Sequence, residues 1–343
     1  MGSLLRGCGW FSVMVLVVCL VAGPGFGAEY KAEYKMSVVV GPTMSWGKGA
    51  QMFADLVKEA SKDKIKIKVY FAGKLFAGQQ TNEFMLVRQG VADFALASTI
   101  NWCPQVRQLN LFSLPFMFDT YAQLDAVKSG EPGKKILEEI RKGGVMFLAW
   151  GENGFREVTN RTRAVAKPED LDGLKIRAVG SPIFKDIFQS LGANPVLMNW
   201  TDALTAFQQG TVDGQENPVT SIILPYKLGQ FHKYMTVWHY TIDPLMFAVN
   251  EKLWKEFSDA DRKIIQEAAE KAGKWQVEDS RAGLTGDMAA LKEAQQSGME
   301  VTVLTPEQRK AFKDKTKPVW DKWTNEIGKD LVESAIKAKE SAK

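Results

Sequence analysis

Cysteine and histidine are scarce in this sequence, which contains three cysteines and two histidines among 343 residues. Cys8 and Cys19 lie in an N-terminal segment that we expect to be removed. The remaining chain would keep only Cys103, which excludes an intramolecular disulfide. His232 and His239 lie on a segment without helical continuity, and two scattered histidines favour structural roles over metal binding.

Motifs for catalysis are also lacking. The chain has no His-Glu-x-x-His, no Gly-x-Ser-x-Gly, no paired-cysteine motif and no phosphate-binding loop. No spacing of Asp and Glu singles out an acid–base pair. We therefore expect no catalytic residue, no metal site and no cofactor, which leaves an exported enzyme as a remote alternative. A sensor or adhesion module is a second alternative, but no repeat or low-complexity stretch supports it.

Charge of one sign is not concentrated anywhere along the chain. The formal net charge is +4, and no long block of like charges indicates a nucleic-acid arm or a polybasic membrane anchor. We therefore expect no nucleic-acid partner. Hydrophobic residues at 45% and charged residues at 24% are ordinary for a soluble globular protein. The length exceeds that of one typical domain and favours two.

The first 28 residues differ in composition from the rest of the chain. Arg6 gives a small positive region, residues 10–22 form an apolar run, and residues 23–28 supply small side chains for cleavage. The apolar run is too short for a comfortable membrane span. We therefore predict a cleaved export signal at residues 1–28.

Strand and helix patterns alternate in the rest of the chain, which predicts an α/β fold. A first series of strands and helices runs to about Trp150, and a second, shorter series follows Arg156. Residues 235–249 form an apolar, strand-like passage, interrupted at Asp243 and Pro244, that could return the chain to the first unit. Helical residues then continue from Ser258 for nearly forty positions. They predict either one helix of about 60 Å that bridges both units or a break at Gly283.

Arg177 lies in a short segment of strand character at residues 174–180. Alternation places it on one face with Lys175 and Val179, and the apolar neighbours indicate a partly desolvated guanidinium. A buried cation needs an anionic partner. Two interpretations remain open: an ion pair within the chain, to Glu216 or Asp213, or a bidentate contact with the carboxylate of a bound ligand.

Four sequence segments in a fixed order carry a family resemblance. They are GFREVTN, DLDGLKIR, SLGANPV and QQGTVDGQENP, with 21 positions from Arg156 to Arg177 and 40 from Arg177 to Asn217. Together they resemble the solute-binding proteins of tripartite ATP-independent periplasmic (TRAP) transporters, the DctP-like family. The resemblance extends over essentially the whole mature chain.

The resemblance implies a fold, a location and partners. The expected fold is α/β, with two lobes joined by hinge strands, a long helix that spans both lobes, and a ligand cleft between them. The expected protein is a periplasmic monomer, not an enzyme, with a small organic acid and separate membrane subunits as partners. We assign the lobes as follows: lobe I comprises residues 29–152 and 243–282, and lobe II comprises residues 153–242 and 283–343.

The resemblance also implies roles for individual residues. Arg177 would form the salt bridge to the ligand carboxylate, Arg156 would be a second cationic contact and Asn217 a polar one. Trp200 would occupy a wall position often filled by an aromatic residue. The residues themselves leave alternatives open, because Arg156 could pair with the adjacent Glu157 and Asn217 could stabilise its own turn.

The expected ligand class depends on the turn after the predicted strand at 93–97. Sialate-binding relatives place charged residues there, whereas residues 98–102 are uncharged here. We expect Ser98, Trp46, Trp102 and Trp200 to contact a monocarboxylate with an apolar or aromatic body, although the tryptophans could equally be core residues. The alternatives are a four-carbon dicarboxylate, held by Arg156 and Arg177 together, and a sugar acid.

Overall fold

The computed structural model describes residues 30–342, so the predicted export signal lies outside the described residues. The strands of this part of the chain are β1 (Tyr34–Val38), β2 (Ile67–Tyr70), β3 (Phe94–Ser98), β4 (Val145–Asn160), β5 (Lys175–Ala178), β6 (Asn194–Leu197), β7 (Gly214–Pro218), β8 (Tyr234–Asn250) and β9 (Glu300–Val303).

The α-helices lie between and after these strands. They are α1 (Ser45–Ala60), α2 (Glu83–Gln89), α3 (Thr99–Trp102), α4 (Tyr121–Ser129), α5 (Glu131–Lys142), α6 (Pro182–Ser190), α7 (Trp200–Gln209), α8 (Glu251–Glu256), α9 (Asp259–Arg281), α10 (Ala289–Gln296), α11 (Pro306–Lys315), α12 (Lys317–Ile327) and α13 (Lys329–Glu340).

One sheet connects two lobes through two long strands. Its order is β2-β1-β3-β8-β4-β7-β5-β6, with β9 paired to β8. β1, β2 and β3 are parallel and form the first lobe, while β5, β6 and β7 are parallel and form the second. β4 and β8 pair antiparallel between them and take part in both lobes. The two-lobed α/β fold with hinge strands predicted from the sequence is confirmed.

Both faces of the sheet are buried at its central strands. Alternate residues of β3 enter two separate hydrophobic cores, Phe94 and Leu96 on one side and Ala95 and Ala97 on the other. Parallel strands covered on both faces are typical of α/β proteins. These two cores fix the positions of the strands and helices that carry the site residues.

The predicted interruption of the strand at Asp243 and Pro244 is wrong, because β8 runs continuously through both residues. Pairing of β8 with β3 ends at Leu245, and the register with β4 is irregular between Glu152 and Gly154. Pro244, which has no N–H to donate, therefore lies where β8 pairs only with β4 and where that pairing is irregular.

The long helix α9 contacts both lobes. It is capped by Ser258, whose Oγ accepts from Asp261 N at 3.2 Å, and it ends at Arg281. Its length is therefore about 35 Å, and the chain breaks near Gly283, which has φ +73°. α9 packs on α1 in the first lobe, and Thr220 of the second lobe donates to Ser280 O at 2.5 Å. Of the two predicted outcomes, the break at Gly283 is confirmed.

The C-terminal helices pack on elements of both lobes. α13 packs on α4 and α5, and α12 packs on α6 of the second lobe. The predicted assignment of the whole of 283–343 to lobe II stays a prediction. Within residues 30–342, no helix combines the length and the apolar character that a membrane crossing requires.

Candidate functional site

A small cavity lies between the lobes, against the hinge strands. The space that the centre of a water molecule can reach inside it is about 30 Å³. Its lining residues are Val39, Val40, Trp46, Gln80, Ser98, Ile100 and Asn101 from the first lobe, Asn153, Arg156 and Asp243 from the hinge strands, and Arg177, Val179, Trp200, Asn217 and Ile222 from the second lobe.

Arg177 is presented to this cavity by β5 and is 1% exposed. Its Nε and Nη2 donate to Met198 O at 3.1 and 2.7 Å, and its guanidinium carbon lies 5.5 Å from the centre of the Trp200 ring. Burial lowers the pKa of Arg177 to about 10, so it remains a cation at neutral pH. Among residues 30–342, no carboxylate lies within ion-pairing distance of it.

The two carboxylates considered as structural partners of Arg177 are engaged elsewhere. Glu216 pairs with Arg156, and Asp213 accepts from the backbone N of Lys175 at 2.7 Å. The Nη1 atom of Arg177 donates no hydrogen bond within the described part of the chain. The guanidinium therefore keeps donors that a ligand anion can use.

Arg156 has partners that were not predicted. Its Nη2 donates to Glu216 Oε1 at 2.9 Å and to Asn217 Oδ1 at 3.0 Å, its Nε pairs with Glu216 Oε2, and its Nη1 lies 3.5 Å from Asp243. Burial alone would lower the pKa of Arg156, but Glu216 outweighs this effect and holds the pKa above its ordinary value. Glu157, the local partner considered from the sequence, pairs with His239 instead.

Asn217 is held by side chains and not by its own turn. Its Oδ1 accepts from Arg156, and its Nδ2 donates to Gln215 Oε1 at 2.5 Å. It lies on β7, which pairs with β4. Arg156 and Asn217 are therefore adjacent at the cavity and fix each other's orientation.

Asp243 is a buried carboxylate at the base of the cavity. Its Oδ1 accepts from Ser98 Oγ at 2.7 Å and from Thr99 Oγ1 at 3.3 Å, and its Oδ2 accepts from Asn153 Nδ2 at 2.8 Å. Burial raises the pKa of Asp243, and Arg156 opposes the shift. Asn153 Oδ1 accepts no hydrogen bond from any described residue, so a buried acceptor is available at this side.

Two of the three predicted tryptophans line the cavity. Trp46 is fixed by a hydrogen bond from its Nε1 to Leu96 O at 2.6 Å, and Trp200 begins α7. Both are largely buried, at 3% and 6% exposure. They form an aromatic wall with aliphatic neighbours, among them Val179 and Ile222.

Trp102 lies in the core and does not line the cavity. Its Nε1 donates to Glu83 Oε2 at 3.3 Å, and its ring packs edge-on against Phe84 at 5.1 Å. The reason is the short helix α3, which turns Trp102 inward and leaves Ile100 and Asn101 at the cavity. Ser98 caps that helix and does line the cavity.

Four polar lining residues were not assigned to the site from the sequence: Gln80, Asn101, Asn153 and Asp243. Asp243 had a usable signal, because an ionisable residue in an apolar strand needs a buried partner. Asn101 lies in the turn that was considered for the ligand class, whereas Gln80 and Asn153 carry no local signal. Both histidines lie away from the cavity, and no group of three or more metal-binding side chains occurs within residues 30–342.

Comparison with known proteins connects this geometry to a family. The family model of the bacterial extracellular solute-binding proteins, family 7 (DctP), matches residues 36–326. The C4-dicarboxylate-binding periplasmic protein DctP of Shewanella loihica is 29% identical over 308 residues, which cover 90% of each chain.

Solved structures show the same similarity. A TRAP periplasmic solute-binding protein from Ralstonia eutropha H16, solved with bound (S)-2-acetolactate, is 50% identical, with a TM-score of 0.89 over 91% of this chain and 99% of that one. The sugar acid binding protein DctPAm from Advenella mimigardefordensis, in complex with galactonate, is 29% identical, with a TM-score of 0.84 over 91% of this chain and 98% of that one. This chain therefore belongs to family 7 of the bacterial extracellular solute-binding proteins, the DctP-like solute-binding proteins of TRAP transporters.

Proposed function

We propose that this protein captures a compact monocarboxylate with a branched apolar body, of the 2-hydroxy or 2-oxo acid class, and delivers it to the membrane subunits of a TRAP transporter. The observation that carries the proposal is Arg177, a buried cation at the cavity that has no carboxylate partner among residues 30–342. A ligand carboxylate would supply the missing charge through a two-pronged contact.

The charges around the cavity favour one ligand carboxylate over two. The charge of Arg156 is already balanced by Glu216, with Asp243 as a further neighbour. Among the described residues that line the cavity, Arg177 is the cation without a carboxylate partner. A four-carbon diacid would leave its second carboxylate without a free cation in a buried site, which is unfavourable.

The walls of the cavity favour an acid with an apolar body. Trp46, Trp200, Val179 and Ile222 present apolar surface to it. A six-carbon sugar acid would bring several hydroxyl groups, and each one left unpaired costs on the order of 1–3 kcal/mol.

One hydroxyl group could be satisfied at the hinge side of the cavity. Asn153 Oδ1 is a buried acceptor without a described donor, and Asp243 lies beside it, fixed by Ser98. We assign to this pair the recognition of a hydroxyl next to the ligand carboxylate. Asn217, held by Arg156, would contact the carboxylate itself.

The ligand of one relative fits this class. (S)-2-Acetolactate, bound to the Ralstonia eutropha protein, is a branched monocarboxylate with one hydroxyl and one keto group, and that protein is 50% identical to this chain. The relatives named for galactonate and for C4-dicarboxylates are 29% identical and weigh less. A sugar-acid or dicarboxylate ligand remains the alternative that the experiment must exclude.

The proposed location is the periplasm, reached with a cleaved export signal at residues 1–28. The composition of that segment supports export, as does the description of the family as extracellular. A monomeric state stays a prediction.

The proposal is tested by native mass spectrometry of the purified protein, followed by a thermal-shift panel. We expect a retained small organic acid, and stabilisation by (S)-2-acetolactate that exceeds the stabilisation by branched 2-oxo acids, which have no hydroxyl to donate to Asn153 Oδ1. Aromatic acids, succinate, galactonate and glucuronate are the comparison ligands in the same panel. Stabilisation by diacids or sugar acids alone would contradict the proposed ligand class, and a covalent or metal-bound species would contradict the transport function.

A further inference from the structure

A glutamine side chain that lines the cavity joins the two lobes. Gln80 follows β2 in the first lobe and is 4% exposed, whereas Trp200 follows β6 at the opposite end of the sheet. Gln80 Oε1 accepts from the backbone N of Trp200 at 2.8 Å, and its Nε2 donates to Asn101 Oδ1 at 2.7 Å. Hydrogen bonds therefore run from one cavity wall to the other.

The contact satisfies a helix end that has no cap of its own. Trp200 is the first residue of α7, and the preceding Asn199 has extended backbone angles but makes no side-chain capping bond. The first N–H groups of a helix have no acceptor within it and are normally served by the residue before it. For α7, one of these N–H groups is instead served by Gln80 of the other lobe.

The surfaces around this bond fit closely. A Cβ on Gly78, which has φ +80°, would lie 2.6 Å from Thr201 Oγ1, and a Cβ on Gly180 would lie 3.2 Å from Thr81 Cγ2. Both contacts are between the lobes. The absence of side chains at these two glycines allows Gln80 to reach α7.

We propose that Gln80 is a positioning residue that caps α7 from the opposite lobe, and so holds the lobes closed with Trp200 and Asn101 set against the ligand. The inference rests on the proposed function, since it concerns how the captured acid is retained. Separation of the lobes breaks the bond between Gln80 and Trp200, so the bond stabilises only the closed form. Gln80 therefore slows ligand release and leaves ligand entry nearly unchanged.

The test compares Gln80→Met and Gln80→Ala with the wild type by stopped-flow tryptophan fluorescence, with (S)-2-acetolactate as the probe. Methionine keeps the length of the side chain and removes its hydrogen bonds. Asn82→Ala, at an exposed position of the same turn, is the matched control. We expect both Gln80 variants to release the probe roughly 3- to 30-fold faster, as for the loss of a helix cap, with association rates within about twofold. A release rate for Gln80→Met equal to that of the wild type contradicts the proposal.

A second readout separates this inference from the proposed function. If the wild type gives no saturable signal with the probe, the proposed ligand class is wrong. Hydrogen exchange of the Trp200 amide then tests the cap in the protein that carries the acid it retained on purification, because the bond forms only when the lobes are closed. Exchange at least about threefold faster in Gln80→Met than in the wild type supports the cap. Equal exchange in the two proteins overturns it.

Discussion

Arg156 and Arg177 line the same cavity, but within residues 30–342 the buried carboxylate of Glu216 forms its ion pair with Arg156 and not with Arg177. Arg177 makes its hydrogen bonds to the carbonyl of Met198, which carries no net charge. We propose that the two arginines differ in function within one site. Arg156 would organise the protein side of the cavity, and Arg177 would be the cation that binds a ligand.

The first prediction concerns Arg177 itself. Arg177→Ala should keep the fold and weaken acid binding by about 2–5 kcal/mol, because the ligand carboxylate would be buried without its cation. Arg177→Lys should also bind poorly, since an ammonium group cannot reproduce the two-pronged contact. Calorimetric titration measures the loss, with Arg88→Ala at the exposed surface as control. Unchanged binding by Arg177→Ala would show that the ligand carboxylate lies elsewhere.

The second prediction concerns the buried ion pair. Glu216→Gln leaves the Arg156 cation without its main partner and also removes the carboxylate that accepts from Tyr240 Oη at 2.6 Å. The free energy of unfolding should fall by about 3–5 kcal/mol. Glu300→Gln is the control, since its pair with Lys233 is exposed and worth about 0–1 kcal/mol. Similar urea midpoints for both variants would contradict the structural role of Glu216.

The third prediction concerns pH. Burial raises the pKa of Glu83 to about 8, although Ser37 and Trp102 donate hydrogen bonds to it. The ordinary pKa of a glutamate is 4.5. Between pH 4.5 and pH 8, Glu83 therefore keeps its proton in the folded protein and loses it in the unfolded chain. The contribution of Glu83 to the free energy of unfolding is fully present below pH 4.5. It falls as the pH rises from 4.5 and is lost once the pH has passed 8.

Glu83→Gln isolates this contribution, because the amide does not titrate. The difference in unfolding free energy between the variant and the wild type should move in favour of the variant across this window, by up to about 1.4 kcal/mol per pH unit. Urea unfolding at several pH values provides the measurement. A constant difference between the two proteins would mean that Glu83 is already ionised in the folded state.

The fourth prediction concerns export. N-terminal sequencing of the protein from the periplasm should begin near Ala28 or Glu29, because the small residues at 23–28 suit cleavage. The chain produced without residues 1–28 should stay in the cytoplasm and serves as the control. Recovery of intact Met1, or of a lipid on Cys19, in the periplasmic protein would contradict a cleaved signal.

The alternation of strands and helices could be predicted from the sequence, because each element has its own pattern of apolar residues. The strand at Arg177 lies where it was predicted. β8 was wrongly divided at Pro244, because the course of a strand depends on partners from distant parts of the chain.

The site could be predicted only in part. The need of Arg177 for an anionic partner follows from a cation among apolar residues, whereas the choice of Glu216 by Arg156 depends on the pairing of β4 with β7. The sequence does not show which of Trp102 and Ile100 lines the cavity, because the single turn of α3 decides their orientation. Gln80 is beyond sequence reasoning, since its partners lie on the opposite lobe and on α3.

The central claim is that the free cation Arg177 holds the single carboxylate of a compact acid. Calorimetric titration of the wild type with (S)-2-acetolactate and with its methyl ester tests this most directly, because the ester keeps the body of the ligand and loses its charge. Succinate and galactonate complete the series. We expect saturable binding of the acid and a loss of about 2–5 kcal/mol for the ester, with the other two acids at least about tenfold weaker. Equal binding of acid and ester, or binding of succinate or galactonate alone, would contradict the account.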